Sequence, residues 1–388
     1  MTVDVEAAVD SNVSGDRAPA SQRILIVSAA MGGGHLQISR ELERRLLARG
    51  HEVLIADLNR LMPGPTGRWL ERLYPWLVDR VPRLYEVIYE RFFRARQRTG
   101  ERVRVPVLLS LPGMRRLIAR FRPHVVASTY HLSALAVAHL RGRGELHCPA
   151  VTVITTFSVH DLWTHPDADL NVCISAEAAQ EARLRSGRPA VVCGPVVRPG
   201  FGEPHPQPER IRHDIGAPSE NSIALVVAGS LGMGSIERAV TAIAAHPGWV
   251  PVVVCGRNEQ LRRRVEQLRA GIVLGWVEDM AGLMAAADVL VENAGGLSAK
   301  EALVCGLPVV SFRPITGHGR DDTEALARLG LTDIVLDEQG LLGALDELNR
   351  DPRQRRERVA RGKELVAADP TRIIERMAEG RQVRTDSS

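Results

Sequence analysis

The sequence predicts an α/β protein built from two doubly wound, Rossmann-like domains that face each other across a cleft. Three observations carry that expectation. Ile24-Leu-Ile-Val-Ser-Ala-Ala-Met-Gly-Gly-Gly-His35 is an apolar, partly β-branched run that ends in three glycines. It passes into Leu36, Ile38, Leu42, Leu46 and Leu47 at near-helical spacing. The same order restarts at Ser222-Ile-Ala-Leu-Val-Val-Ala228, with the turn Gly229-Ser-Leu-Gly232-Met-Gly234 and a helix from Ser235 onward. Between the two lies a proline cluster, Pro204, Pro206, Pro208 and Pro218, which marks a boundary. Strand, glycine turn and helix form the opening unit of a doubly wound domain, and 388 residues suit two cores better than one. The expected division is a disordered tail over 1–21, a first domain over 22–200, a linker over 201–220 and a second domain over 221–388 that includes the C-terminal helices.

Further strands are expected at Glu52–Asp57, Pro123–Tyr130, Ala150–Thr156 and Asp169–Ser175 in the first half. A helix is expected over 132–140 and another over 176–186. The second half supplies Trp249–Gly256, Ile272–Val277, Val289–Glu292 and Leu307–Ser311, followed by charged helical sequence over 351–381. Residues 60–122 differ in character. Fifteen arginines stand there against five acids, a net of +10, interleaved with Trp69, Trp76, Tyr85, Tyr89, Phe92 and Phe93. Basic and aromatic residues at helical spacing suit a helix lying on an anionic membrane surface. They also suit amphipathic packing against the domain with the arginines solvated.

The totals exclude several classes. A composition of 45% hydrophobic and 25% charged residues is that of an ordinary globular protein. The formal charge of +4 is mild, and no nucleic-acid partner is expected. Cys148, Cys173, Cys193, Cys255 and Cys305 show no CxxC pair and no metal-ligand spacing, which reads as reduced thiols in a cytoplasmic protein. No apolar run reaches the roughly 18 residues of a membrane span. The first 21 residues lack a basic start followed by an apolar stretch, so no signal peptide is expected.

The chemistry concentrates at glycine-rich strand ends. Gly33 and Gly34 let a ligand approach the backbone, and His35 at the helix start is a titratable group suited to acid–base work, or alternatively a capping or packing histidine. His160 and Trp163 lie in the loop after the strand at 150–156. His160 is read either as orienting a substrate or as a hydrogen-bonded structural residue. Gly232 and Gly234, and again Gly295 and Gly296, stand between strand and helix where backbone N–H groups cradle phosphate. Glu301 comes about two turns into the second of these helices, placed for a ribose diol. Arg257 and Asn258 occupy the position where a dinucleotide site would carry an acid, which argues against NAD. Asp167-Ala-Asp169 imitates a metal-binding element but has no supporting carboxylates, and no metal site is expected.

Taken in order, these residues resemble the monogalactosyldiacylglycerol synthases of glycosyltransferase family 28. They resemble more distantly the lipid-linked N-acetylglucosaminyltransferase of peptidoglycan synthesis. The resemblance runs from about residue 22 to 345. It rests on Gly32-Gly-Gly-His35, the loop Thr155–Trp163, Pro195-Val-Val-Arg-Pro-Gly-Phe201, Gly256-Arg-Asn258, Leu274-Gly-Trp-Val277, Gly295-Gly296 and Glu301-Ala-Leu-Val-Cys-Gly-Leu-Pro308. It implies a GT-B fold and inverting, metal-independent transfer of a hexose from a UDP-sugar, with no other cofactor. The acceptor hydroxyl would be that of diacylglycerol or a related lipid, on the inner face of the cell membrane. It further implies uracil near Trp276-Val277, ribose on Glu301, diphosphate on Gly232, Gly234, Gly295 and Gly296, and His35 on the acceptor side as base.

Two departures stand out. The family's Thr-Asp is Thr155-Thr156 here, so a supporting carboxylate is missing, and Asp161 is the candidate substitute. The family's Pro-Gly-Gln becomes Thr316-Gly317-His318, followed by Asp321-Asp322, which places His318 where a glutamine would contact the sugar. Competing expectations are a transferase acting on a soluble natural product, a UDP-sugar epimerase of the same architecture, and a catalytically inactive binding protein.

Overall fold

The structure is a computed structural model that describes residues 20–30, 33–91, 105–227, 232–365 and 368–381. All but two residues of the expected tail lie outside that range, as do Gly32, Gly229, Phe92 and Phe93.

Among the described residues, twelve strands form two parallel six-stranded sheets. The first contains β1 (Arg23–Ser28), β2 (Glu52–Asp57), β3 (Val125–Ser128), β4 (Ala150–Val153), β5 (Leu170–Cys173) and β6 (Ala190–Val192). Its spatial order is β2-β1-β3-β4-β5-β6. The second contains β7 (Ser222–Val227), β8 (Trp249–Val254), β9 (Ile272–Leu274), β10 (Val289–Glu292), β11 (Val309–Phe312) and β12 (Thr332–Val335), in the order β12-β11-β10-β7-β8-β9. β6 and β12 had no counterpart among the expected strands: β6 is only three residues long, and Thr332 and Asp333 dilute the apolar signal of β12.

The strands read as near-continuous apolar runs because both faces of each sheet are covered. In β1, Leu25 and Val27 pack with Val107, Leu111 and Met114 of the helix Val105–Phe121. Ile24 and Ile26 point the other way, onto Leu42 and Leu46 of the helix Gly33–Ala48. Strand order reverses between β1 and β3 in one sheet and between β7 and β10 in the other. Ligands of open α/β sheets bind outside the carboxyl ends of strands at such reversals. His35 follows β1, the loop of Gly232 and Gly234 follows β7, and Gly295-Gly296 follows β10, so the candidate residues sit at both reversal points.

Residues 60–122 differ in how far they are buried. The helix Val105–Phe121 is core-packed, whereas Trp69, Leu73 and Trp76 on Thr66–Arg80, and Leu84 and Val87 on Pro82–Tyr89, are exposed. Among the described residues no helix is long and apolar enough to cross a membrane.

The assignment of all C-terminal helices to the second domain is corrected at the last one. The helix Pro370–Ala378 packs on the first sheet, where Ile374 is fully buried beside Ile24, Leu42 and Leu46. Glu375 accepts hydrogen bonds from the Arg49 guanidinium and from His51 Nε2 (2.8 Å). His51 Nδ1 accepts the Gln22 N–H at 3.2 Å, so the proton sits on Nε2 and the pair forms with a neutral ring. The chain thus returns to its first domain after building its second. Truncating a buried isoleucine to alanine costs about 2–5 kcal/mol through lost contacts and the cavity left behind. Ile374→Ala should therefore lower the urea midpoint of the full chain, followed by circular dichroism. An unchanged midpoint would contradict this packing.

Candidate active site

His35 occupies the first turn of Gly33–Ala48, directly beyond β1, and its tautomer is set by the neighbouring strand end. Nδ1 lies 2.9 Å from the carbonyl oxygen of Thr129, which follows β3, and 3.2 Å from Thr155 Oγ1. A carbonyl oxygen only accepts, so Nδ1 carries the proton and Nε2 keeps its lone pair. The task expected of a carboxylate therefore falls to a backbone carbonyl. Asp161, the candidate substitute, instead pairs with the guanidinium of Arg185 on the helix Ala176–Ser186. Burial pushes the His35 pKa down to about 4, opposed by the Thr129 bond and assisted by the positive charge of Lys300. The ring is held neutral, as a base must be.

Around His35 the two domains contribute a cluster of rings. Tyr130 stands edge-on at 5.3 Å between centroids and Trp163 is tilted at 6.2 Å. His131, His160 and His318 approach one another with centroids 5.1–5.5 Å apart. His160 Nδ1 accepts the Leu162 N–H at 3.3 Å, which leaves its proton on Nε2. Trp163 is buried and packs beneath the histidines with Ile154 and Ala178 as part of the core. His318, from the second domain, opens the helix His318–Arg328, and burial together with His35 lowers its pKa to about 3. Tyr130 and His131 were not singled out from the sequence. Polar and aromatic residues at the carboxyl end of β3, beside the strand reversal, are the signal that marks them.

The donor-side loops are fastened to each other. Gly234 has φ +97°, and a Cβ there would come within 2.1 Å of the Asn293 side-chain nitrogen, which donates to the Met233 carbonyl at 2.8 Å. Only glycine fits that position. Glu292, buried at the end of β10, accepts the N–H groups of Ala294 (2.7 Å) and Gly295 (2.6 Å) and the Ser311 hydroxyl. The second glycine turn is thereby fixed before any ligand arrives. Gly296 is the N-cap of the helix Leu297–Cys305. Glu301 on this helix is buried and accepts from Arg198 Nε at 3.0 Å, an arginine supplied by the stretch that joins the domains. Asn258 caps the helix Glu259–Leu268 by accepting the Leu261 N–H at 3.0 Å and shapes the first glycine loop, since a Cβ on Gly232 would lie 2.5 Å from its nitrogen. Val277 packs against the core, while the neighbouring Trp276 is exposed under the Arg257 guanidinium at 4.4 Å. Of the Asp167-Ala-Asp169 pair, Asp169 holds Arg141 at 3.0 Å and the Ala150 N–H at 2.7 Å.

Two contacts bring the halves together. A Cβ added to Gly34 would meet Leu297 Cβ at 3.7 Å, so the His35 turn touches the helix of the second glycine cradle. Asp322, buried on His318–Arg328, accepts the backbone N–H of Phe157 and of Ser158 (2.9 Å) from the first domain. Its other oxygen takes Lys300 Nζ at 3.3 Å, and Lys300 also donates to the Gly295 carbonyl at 2.8 Å. Neither Lys300 nor Asp322 was expected as a site residue. They lie 22 positions apart, and no local pattern links them.

With the geometry in place, comparison with known proteins assigns the class. Residues 42–197 match the monogalactosyldiacylglycerol (MGDG) synthase family and residues 226–337 match glycosyl transferases group 1. A processive diacylglycerol beta-glucosyltransferase of Bacillus cereus is 25% identical over 353 residues, covering 85% of this chain and 86% of that one. Among solved structures, MurG of Acinetobacter baumannii superposes with a TM-score of 0.58 at 14% identity, covering 92% of this chain and 99% of that one. Anabaena Alr3699/HepE in complex with UDP gives a TM-score of 0.53 at 15% identity, with coverage of 92% and 99%. The chain is a glycosyltransferase of GT-B fold. More particularly, its first half is similar to the monogalactosyldiacylglycerol synthase family and its second half to glycosyl transferases group 1.

The His35 environment makes a direct prediction. The unfolded chain takes up a proton at this group near pH 6.5, whereas the folded chain does so only near 4, so stability from this group is lost as pH falls between those values. Followed by NMR, the His35 ring proton should show no inflection from pH 8 down to 5.5. An inflection near 6.5 would contradict the enclosed, carbonyl-bonded ring.

Proposed function

We propose that this chain transfers a hexose from a UDP-sugar to the hydroxyl of diacylglycerol or a related lipid, while docked peripherally on the inner face of the cell membrane. The observation that carries the reading is a neutral His35, proton on Nδ1, in a turn whose Gly34 lies against the helix of the second glycine cradle. In this reading Nε2 accepts the proton of the acceptor hydroxyl as its oxygen bonds to the anomeric carbon. The bond from that carbon to the diphosphate oxygen breaks, and its electron pair leaves with UDP. Attack opposite the leaving group inverts the anomeric carbon, in keeping with the beta product in the relative's name.

Gly295, Gly296 and the N-terminus of Leu297–Cys305 suit the departing diphosphate, since backbone amides aimed at developing charge need no reorganisation during the step. We assign the ribose to Glu301, whose carboxylate is already fixed by Arg198, and the sugar to the surroundings of His318. The proposal includes metal independence, with the amides and Lys300 supplying the positive potential. The UDP complex of the Anabaena structure supports a uridine nucleotide as the carrier. For the acceptor, support comes from the diacylglycerol-acting relative and from exposed Trp69 and Trp76 on a strongly arginine-rich stretch, the composition of a surface that meets anionic lipid.

His35→Ala should reduce transfer from UDP-glucose to diacylglycerol in mixed vesicles by about 10²–10⁴-fold, the usual contribution of a positioned base. UDP binding, measured by calorimetry, should stay within about threefold, because the nucleotide is held by the other domain. Transfer that survives the substitution would remove His35 from the base role. Loss of UDP binding in parallel would show that it holds the donor instead.

A further inference from the structure

The short helix Pro82–Tyr89 belongs to the first domain by sequence, yet its buried side faces the second. Tyr85 and Tyr89, one turn apart, form a small apolar cluster with Leu77 and with Met233 of the first glycine loop. Tyr89 donates to Asp321 Oδ2 at 2.7 Å, and its ring stands edge-on to His318 at 4.6 Å. Tyr85 presses so closely on Gly317 that a Cβ there would lie 2.6 Å from its ring. The Arg320 guanidinium pairs with Glu86 and, at 3.2 Å, with Glu90. Every second-domain partner except Met233 lies in the stretch 317–321, the turn that carries the residue assigned to the sugar.

The outward side of the same helix is apolar. Leu84 is 48% and Val87 64% exposed, and the adjoining helix presents Trp69 at 73%. Exposed Arg68, Arg72 and Arg83 stand among them, so the face offers apolar insertion together with positive charge, the complement of an anionic lipid surface. A helix of this length is marginal alone in water, and its order depends on what packs against it. Whatever orders it from outside lowers the cost of forming its inner contacts.

We infer that Pro82–Tyr89 couples membrane docking to donor binding: an anionic bilayer on its outer face favours the clasp of Tyr89, Glu86 and Glu90 on the sugar-side turn, and so tightens the grip on the nucleotide sugar. This rests on the membrane reading proposed above. Linkage then requires the nucleotide sugar to tighten membrane binding by the same factor.

The test uses the full chain, UDP-glucose and vesicles of phosphatidylglycerol with phosphatidylcholine that contain no diacylglycerol, so no turnover occurs. Anionic vesicles should tighten UDP-glucose binding by about fivefold or more, and UDP-glucose should tighten vesicle binding equally. Arg320→Gln with Tyr89→Phe should bring both factors toward one while vesicle binding by the nucleotide-free protein stays within about twofold, since both side chains lie on the inner face. Tyr89→Phe alone, which keeps the ring, should give an intermediate factor and guards against a misfolded double variant. Binding of both ligands without mutual effect contradicts this inference alone, as does a factor that survives both substitutions. Failure of the wild-type chain to bind the vesicles contradicts the membrane reading and removes the inference with it. Failure to bind UDP-glucose contradicts the donor assignment.

Discussion

The buried carboxylate of Asp322 is the point on which the two halves of this molecule depend. A charge removed from water is tolerated only when it is paired and hydrogen-bonded. Asp322 meets that condition with partners from both domains. The backbone N–H groups of Phe157 and Ser158 come from the first, and the Lys300 ammonium from the second. Lys300 in turn holds the Gly295 carbonyl, so the loop after β4 and the glycine cradle after β10 share one network. Opening the cleft would strip Asp322 of two donors and leave Lys300 as its remaining neutralising partner in this network. The arrangement that brings Gly34, next to His35, against Leu297 is therefore also the one that satisfies the buried charges.

A second consequence follows from the rings that line the same interface. His35, His131, His160 and His318 converge with Tyr130 and Trp163, and burial disfavours charge on His35 and His318. His318, which stands where the resemblance implies a glutamine, sits within the ring cluster.

Much of this was legible in the sequence because the relevant signals are local. Fully buried β-branched runs announce parallel strands, and glycines between a strand and a helix announce ligand loops, so most strands and the candidates at their carboxyl ends could be placed. What could not be read is pairing over distance. Asp161 looked available until Arg185, 24 positions away, was seen to hold it. Ile373, Ile374 and Met377 reveal an apolar stripe on the last helix but not which sheet it covers. The aromatic and basic character of 60–122 was legible, whereas the inward contacts of Tyr85 and Tyr89 depend on where the second domain comes to rest. Thr129 could not be recognised at all, because its contribution is a backbone carbonyl that any residue would supply.

The central claim, that two half-sites are joined into one through Asp322, is open to a direct measurement. Amide hydrogen exchange at Phe157 and Ser158 reports the two backbone bonds that Asp322 accepts across the cleft. Bonds to a charged group contribute about 1.5–3 kcal/mol, so Asp322→Ala should accelerate exchange at those two amides by roughly 10- to 100-fold. Amides within β1 and β7 should keep their rates. Unprotected Phe157 and Ser158 in the wild-type chain, or rates that Asp322→Ala leaves unchanged, would contradict it.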